Sequence, residues 1–197
     1  TEALRDRAVT DIPHVASWRE AYRAFGARPQ RTRNSLEALL RWNHPERGRI
    51  PPDFFVPIAE ESGLIVPIGR WVLETACRQV ARWRTVDPDL TMNVNVSAHQ
   101  LRDPGFPDDV RRALEEAGLP GSALILEITE SALLEDDEQT LEGLRALKEL
   151  GVAVALDDFG TGYSALGYLR RFPVDILKID KSFVSGEGTE EDGDQLV

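Results

Sequence analysis

Charged and amide side chains stand at the ends of successive short apolar segments in this chain of 197 residues. Their carboxylates would repel one another strongly if they met at one place, unless cations neutralised them. Oxygen ligands from Asp, Glu and Asn favour hard ions such as Mg²⁺, Mn²⁺ or Ca²⁺. The segment ends therefore predict a divalent metal site. The residues concerned are Glu37, Arg41, Asn93, Asn95, Ser97, Glu127, Glu130, Asp157, Asp158, Lys178 and Asp180.

The neighbouring carboxylates Asp157 and Asp158 carry the most specific prediction. Adjacent strand residues face opposite ways, so both can reach one site only if the chain turns directly after the first. The segment Phe159-Gly160-Thr161-Gly162 is expected to provide that turn. Two carboxylates so placed could bridge metal ions ~3.5–4 Å apart, a spacing that clamps the attacking and leaving oxygens in phosphodiester hydrolysis.

Each of these residues alone has a structural alternative. A carboxylate can cap a helix, and Glu127 or Glu130 can pair with a surface arginine. Independent caps have no reason to fall on the same side of successive strands, so the joint pattern favours a site. The three histidines His14, His44 and His99 form no zinc-type cluster and are expected at the surface or in packing.

The elements that must position these residues are β-like segments alternating with helical patterns, an order typical of a parallel sheet wrapped by crossover helices. Strands are predicted at 36–41, 91–97, 123–129, 152–157 and 175–180. Four helices are predicted. The first has an apolar face, the second begins at Pro107 and ends at Gly118, the third has three leucines before Gly151, and the fourth begins near Tyr163. The apolar residues of the first are Ile68, Val72, Ala76, Val80 and Trp83, and the leucines of the third are Leu141, Leu144 and Leu147. In such folds the site lies at the carboxyl ends of the strands.

Composition bounds the class of protein. With 42% hydrophobic and 29% charged residues the chain is expected to fold, and no apolar run approaches the length of a membrane span. Its formal net charge of -11 argues against binding a nucleic acid polymer. The single cysteine, Cys77, lies in an apolar pattern and is expected to be a small buried hydrophobe in a reducing compartment, which favours the cytoplasm.

The strand-end residues also belong to five motifs that closely resemble the EAL domain family. In chain order these are Glu37-Ala38-Leu39-Leu40-Arg41-Trp42 before His44-Pro45, Asn93-Val94-Asn95-Val96-Ser97, Glu127-Ile128-Thr129-Glu130-Ser131, Asp157-Asp158-Phe159-Gly160-Thr161-Gly162 and Leu177-Lys178-Ile179-Asp180. The family consists of bacterial phosphodiesterases that open cyclic di-GMP to the linear dinucleotide pGpG. The resemblance implies the same activity here and covers residues 36–184.

The resemblance also implies a role for each matching residue. Glu37, Asn95, Glu127 and Asp157 resemble ligands of a first ion and Asp158 a ligand of a second, with Mg²⁺ or Mn²⁺ expected. Arg41 resembles an arginine that grips a substrate phosphate, and Glu130 a glutamate that holds the Asp-Asp-Phe-Gly loop. Lys178 resembles a lysine that activates the attacking water, and two nearby metals would lower its pKa. Gln100 is expected near the mouth of the barrel, where the carboxyl ends of the strands meet, and no role is assigned to it.

The implied fold is a TIM-like β/α barrel, present here in part. The sequence shows no counterpart of the first family strand and none of the two strands after the one bearing Lys178. Residues 1–35 are predicted to be an arginine-rich leader with a short amphipathic helix, 36–184 the partial barrel and 185–197 an acidic mobile tail. Open sheet edges favour marginal stability or pairing, for example in a homodimer. Two explanations are considered, that the chain is a fragment of a longer protein or that it is a truncated paralogue.

Three functions follow from these patterns. The first is a metal-dependent cyclic di-GMP phosphodiesterase, coupled in a longer protein to sensory or diguanylate cyclase domains as the resemblance implies. The second is a noncatalytic module that binds cyclic di-GMP. The third, without the resemblance, is a barrel lyase or isomerase with Lys178 as its base.

Overall fold

The computed structural model describes residues 34–133, 138–159 and 171–179. The predicted leader helix, the helix expected near Tyr163, Asp180 and the acidic tail lie outside these residues. Among the described helices, none combines the length and apolar character needed to cross a membrane.

A parallel sheet of five strands forms the centre of the described chain, and each strand pairs with the next strand of this sheet along the chain. The strands are β1 (Ser35–Ala38), β4 (Thr91–Asn95), β5 (Leu124–Thr129), β6 (Ala153–Phe159) and β7 (Ile176–Ile179). The five predicted strands and the α/β class are confirmed. The first strand is shorter than the predicted 36–41: it ends at Ala38, where the chain leaves the sheet, and Leu39 is exposed.

Six helices surround this sheet in the described residues: α1 (Pro52–Glu61), α2 (Ile65–Arg84), α3 (Ala98–Leu101), α4 (Phe106–Ala117), α5 (Glu130–Leu133) and α6 (Glu138–Glu149). The three predicted helices within these residues, α2, α4 and α6, are confirmed. Gly118 ends α4 in the left-handed conformation, with φ of 65°, which glycine adopts without steric cost.

A two-stranded hairpin and α1 follow β1, and the sequence patterns did not predict them. The hairpin consists of β2 (Trp42–His44) and β3 (Gly48–Ile50), three residues each, too short for an alternating pattern. His44 stabilises its turn, because its Nδ1 accepts hydrogen bonds from the backbone N–H groups of Glu46 and Arg47. Trp42 packs edge-on against Phe55 of α1 at 5.7 Å between ring centroids, which fixes the hairpin on the helix.

The core lies between the sheet and helices α2, α4 and α6. On α2, Ala76, Val80 and Trp83 are buried as the apolar face predicted, whereas Ile68 and Val72 are half-buried and line a cavity. Cys77 is fully buried, and loss of hydration raises the pKa of its thiol to about 11. The thiol therefore stays protonated near neutral pH, as expected of a small buried hydrophobe.

Two polar contacts anchor the strands that carry the candidate site. Before β1, Asn34 Nδ2 donates to Asp87 Oδ2 at 2.6 Å. Before β7, both carboxylate oxygens of Asp175 lie 2.6 Å from Lys148 Nζ of α6, and Asp175 Oδ2 also accepts from the backbone N–H of Val154 at 2.8 Å. The start of β7 is thereby fixed to both α6 and β6.

We expect Leu144→Ala to lower the free energy of unfolding by ~2–5 kcal/mol, because this fully buried α6 side chain would leave a cavity against the sheet. The control Ile58→Ala, at a side chain 64% exposed, should change it by less than ~0.5 kcal/mol. Urea unfolding measures both, and equal losses would contradict this placement of the core.

Candidate active site

Four neighbouring parallel strands bring predicted site residues to one edge of the sheet. Glu37 of β1 lies in register with Asn93 of β4, and Asn95 of β4 lies in register with Glu127 of β5. Asp157 of β6 is in register with Thr129 at the end of β5. Because all these strands run in one direction, their carboxyl ends meet at the same edge.

The first pair of side chains at this edge is Glu37 and Asn95. Asn95 Nδ2 donates to Glu37 Oε1 at 2.8 Å, and both residues are exposed. The amide therefore holds one oxygen of the Glu37 carboxylate, while the amide oxygen of Asn95 remains a separate ligand atom.

The second group is centred on Glu127, a charged side chain at only 1% exposure. Its Oε1 lies 2.5 Å from Lys178 Nζ and also accepts from Asn93 Nδ2 at 2.5 Å. Lys178 Nζ also lies 3.5 Å from Asp157 Oδ2. The alternative in which Glu127 pairs with a surface arginine is therefore wrong, because its partner is a lysine on the next strand but one.

Oxygen Oε2 of Glu127 is buried and has no hydrogen-bond partner. A buried carboxylate oxygen without a partner is unfavourable, since it has lost its water and gained nothing in return. Glu127 also lines an open cavity at the strand ends. Its unpartnered oxygen is the kind of atom that a cation would satisfy.

The surroundings of Lys178 have opposing effects on its pKa. Partial burial lowers the pKa, but the hydrogen bond to Glu127 and the charges of Glu127, Asp157 and Glu37 together raise it above its ordinary value. The ammonium is therefore charged near neutral pH. Two nearby metal ions are expected to lower the pKa of Lys178. The protein residues alone have the opposite effect, because the nearest charges are carboxylates.

Strand β6 contains a β-bulge at Asp157 and Asp158. Leu156 pairs with Leu177 and Phe159 with Ile179, so Asp157 and Asp158 together stand opposite the single residue Lys178. The chain does not turn directly after Asp157, because the strand continues through Phe159. Residues 160–162, which make up the rest of the predicted turn, lie outside the described residues. The inserted residue interrupts the strict alternation of a strand, which is how a bulge re-aims side chains beside a site.

An open cavity of about 510 Å³ extends from this edge toward α1 and α2. Arg41, Asn95, Glu127, His99 and Gln100 are among the polar residues that line it, beside an apolar wall formed largely by the two helices. Arg41 is half-buried, and its Nη1 donates to the backbone oxygen of Leu40 at 2.9 Å. The structure thus brings Arg41 into one cavity with two of the predicted metal ligands.

Two predicted site residues are placed by their backbone alone. Asp158 lies in the β6 bulge, and Glu130 is the first residue of α5, directly after β5. Their side chains are outside what the structure describes. The second-ion role of Asp158 and the loop-holding role of Glu130 therefore stay predictions.

The residues present fit a divalent ion in their chemistry. Glu37, Asn95, Glu127 and Asp157 offer only oxygen ligand atoms, and Glu127 Oε2 is a buried oxygen in need of a partner. Among the side chains that the structure describes, no three from Asp, Glu, His and Cys are close enough together to hold an ion. The carboxylates instead form two groups, Glu37 with Asn95 and Glu127 with Lys178 and Asp157.

Gln100 lines the cavity at the carboxyl ends of the strands, as expected, and a capping box explains its position. Its backbone N–H and side-chain oxygen exchange hydrogen bonds with Ser97 at the start of α3, just after Asn95. A Cβ at Gly69 of α2 would lie 2.0 Å from Gln100 Nε2, so only glycine leaves room for the buried amide. Ser97 followed by Gln100 three residues later is a capping signal that could have predicted this contact.

The chain belongs to the EAL domain family, whose model matches residues 28–197. That match includes residues 185–197, set apart above as an acidic tail. The predicted partial TIM-like barrel is confirmed with it, because solved EAL domains superpose on this chain.

Two curated relatives and two solved structures define the similarity. The cyclic di-GMP phosphodiesterase PdeR of Escherichia coli is 50% identical over 150 residues, which are 76% of this chain and 23% of PdeR. The bifunctional diguanylate cyclase/cyclic di-GMP phosphodiesterase MucR of Pseudomonas aeruginosa is 47% identical over 163 residues, 82% of this chain and 24% of MucR. This chain thus spans about a quarter of either relative.

Among solved structures, the PaMucR phosphodiesterase in complex with c-di-GMP has a TM-score of 0.72 at 49% identity, over 77% of this chain and 62% of that one. The FimX EAL domain from Pseudomonas aeruginosa bound to c-di-GMP has a TM-score of 0.72 at 26% identity, over 87% of this chain and 73% of that one.

We expect Gly69→Ala and Gln100→Ala to be strongly coupled in stability. In the parent, a methyl group at position 69 displaces Gln100 from its capping box, at a cost of ~1 kcal/mol. With Gln100→Ala already present, the same change should stabilise α2 by ~0.5–1 kcal/mol, because alanine is the better helix former. A double-mutant cycle in urea measures the coupling, and additive effects would contradict this contact.

Proposed function

We propose that this chain is the catalytic part of a metal-dependent phosphodiesterase that hydrolyses cyclic di-GMP to linear pGpG. The observation that carries the proposal is the meeting of Glu37, Asn95, Glu127, Asp157 and Lys178 at one sheet edge. Two relatives at 47% and 50% identity are named as cyclic di-GMP phosphodiesterases. The sheet edge supports the proposal with oxygen ligand atoms, the ammonium of Lys178 and an open cavity.

Residues Glu37, Asn95, Glu127 and Asp157 would hold the first ion, and Asp158 a second, with Mg²⁺ or Mn²⁺ as the metal. Bound divalent ions lower the pKa of coordinated water and stabilise charge on phosphate oxygens. Glu37 is counted among the catalytic residues for this reason. Lys178 contributes a positive charge at the Glu127 and Asp157 carboxylates and an N–H donor toward the attacking water.

Arg41 would bind the substrate. Its guanidinium is always charged and matches a pair of phosphate oxygens through two parallel hydrogen bonds. It lines the same cavity as Glu127 and Asn95, so a phosphate held there lies beside the metal ligands. In a chain of net charge -11, such local positive charge is what admits an anionic dinucleotide.

A second candidate function is a noncatalytic module that binds cyclic di-GMP. It is favoured by the ion pairs from Lys178 to Glu127 and Asp157, which neutralise two candidate ligands without a metal. The coupling to sensory or diguanylate cyclase domains remains part of the proposal, supported by the small share of the bifunctional protein MucR that this chain covers. A homodimer remains a prediction from the open sheet edges. A cytoplasmic location is supported by the free thiol of Cys77.

The test is hydrolysis of cyclic di-GMP in Mn²⁺ or Mg²⁺ by the purified protein, with pGpG measured by chromatography. We expect Glu37→Gln to reduce turnover at least ~100-fold, because the amide keeps the size of the side chain but loses the charge of a metal ligand. The control Glu115→Gln removes an exposed carboxylate of α4, paired with Arg111, and should leave turnover unchanged.

The outcomes separate the two candidate functions. Hydrolysis that is lost in Glu37→Gln and kept in Glu115→Gln supports the phosphodiesterase. Calorimetry that detects binding of cyclic di-GMP without any pGpG supports the noncatalytic module. A protein that neither binds nor hydrolyses the dinucleotide contradicts both.

A further inference from the structure

A line of polar side chains runs across the sheet behind the candidate ligands. Thr91 Oγ1 donates to Ser35 Oγ at 3.1 Å, and Ser35 Oγ donates to Asn93 Oδ1 at 2.6 Å. Asn93 Nδ2 in turn donates to Glu127 Oε1 at 2.5 Å. The line therefore connects β1, β4 and β5 and ends on the buried carboxylate.

Asn93 occupies a different level of the site from the metal ligands. It precedes Asn95 by two residues on β4, so both lie on one face of the strand, with Asn93 farther from the carboxyl end. It is half-buried, whereas Asn95 is exposed. Its amide oxygen already accepts from Ser35 and its amide nitrogen donates to Glu127, so its orientation is fixed from both sides.

The contacts of Glu127 are unequal between its two oxygens. Both Asn93 and Lys178 bind Oε1, while Oε2 is buried without a partner. Lys178 is a long side chain, 33% exposed and shared with Asp157, so it neutralises charge but restrains direction weakly. Asn93 is short and held by Ser35, so it sets the orientation of the carboxylate.

We infer that Asn93 is a positioning residue for the metal ligand Glu127. By binding Oε1 it keeps the carboxylate in one orientation, in which Oε2 is the oxygen left for a divalent ion. Outer hydrogen bonds of this kind orient ligands and tune affinity at metal sites. The inference rests on the proposed function and adds a residue to which the family resemblance gave no role.

The decisive experiment compares Mn²⁺ binding in Asn93→Ala and Arg111→Ala by calorimetry without substrate. We expect Asn93→Ala to weaken the dissociation constant for Mn²⁺ by ~10–100-fold. Arg111→Ala is the control, because it also removes a side-chain donor from carboxylates, those of Asp108 and Glu115, but on the surface of α4 away from the site. Its Mn²⁺ affinity should equal that of the parent.

Two further measurements distinguish positioning from a general structural role. Raising Mn²⁺ above the weakened dissociation constant should restore most of the turnover of Asn93→Ala, which a misfolded variant would not recover. Ser35→Ala removes the hydroxyl behind Asn93 and should weaken Mn²⁺ binding by a smaller factor. If Asn93→Ala does not fold, the result for Ser35→Ala decides the inference.

Failure of the inference and failure of the function give different results. A parent that binds Mn²⁺ and hydrolyses cyclic di-GMP, with unchanged affinity in Asn93→Ala and Ser35→Ala, contradicts only the role of Asn93. A parent that binds no Mn²⁺ contradicts the proposed function and this inference together.

Discussion

The buried carboxylate of Glu127 is the constraint on which the site depends. A charge at 1% exposure is tolerated only where other groups replace its water, and here Lys178 and Asn93 do so at a single oxygen. Those two residues come from β7 and β4, on either side of β5. The contacts of this carboxylate therefore depend on the register of the four strands from β4 to β7.

The sheet satisfies this requirement through contacts that lie far from the site. Asp175 fixes the start of β7 to α6 and β6, and so sets the height at which Lys178 meets Glu127. The bulge in β6 then places two carboxyl residues opposite that lysine. Polar contacts at the start of β7 thus determine which charges meet at its other end.

Hydrophobic patterns predicted the five strands and the three longest described helices. The helices have an apolar face at helical spacing, and the strands are short apolar segments, such as β5 with five successive buried residues. The ends of those strands also identified the ligand candidates, since parallel direction alone brings them to one edge. The hairpin, α1 and the β6 bulge were not predicted. The hairpin strands are three residues long, α1 contains Pro52 and Pro57, and a bulge is a register effect between two strands that no local pattern encodes.

The electrostatics of the site could not be predicted from the sequence either. The direction in which the pKa of Lys178 shifts depends on which charges lie nearest, and the pairing of Asn93 with Glu127 depends on register.

Crystals of the protein soaked in Mn²⁺ test the central claim most directly, through anomalous scattering. A peak within bonding distance of Glu127 Oε2, with Asn93 still on Oε1, is the expected result. Glu127 bound only to Lys178 and Asn93, with no Mn²⁺ at the strand ends, would contradict it.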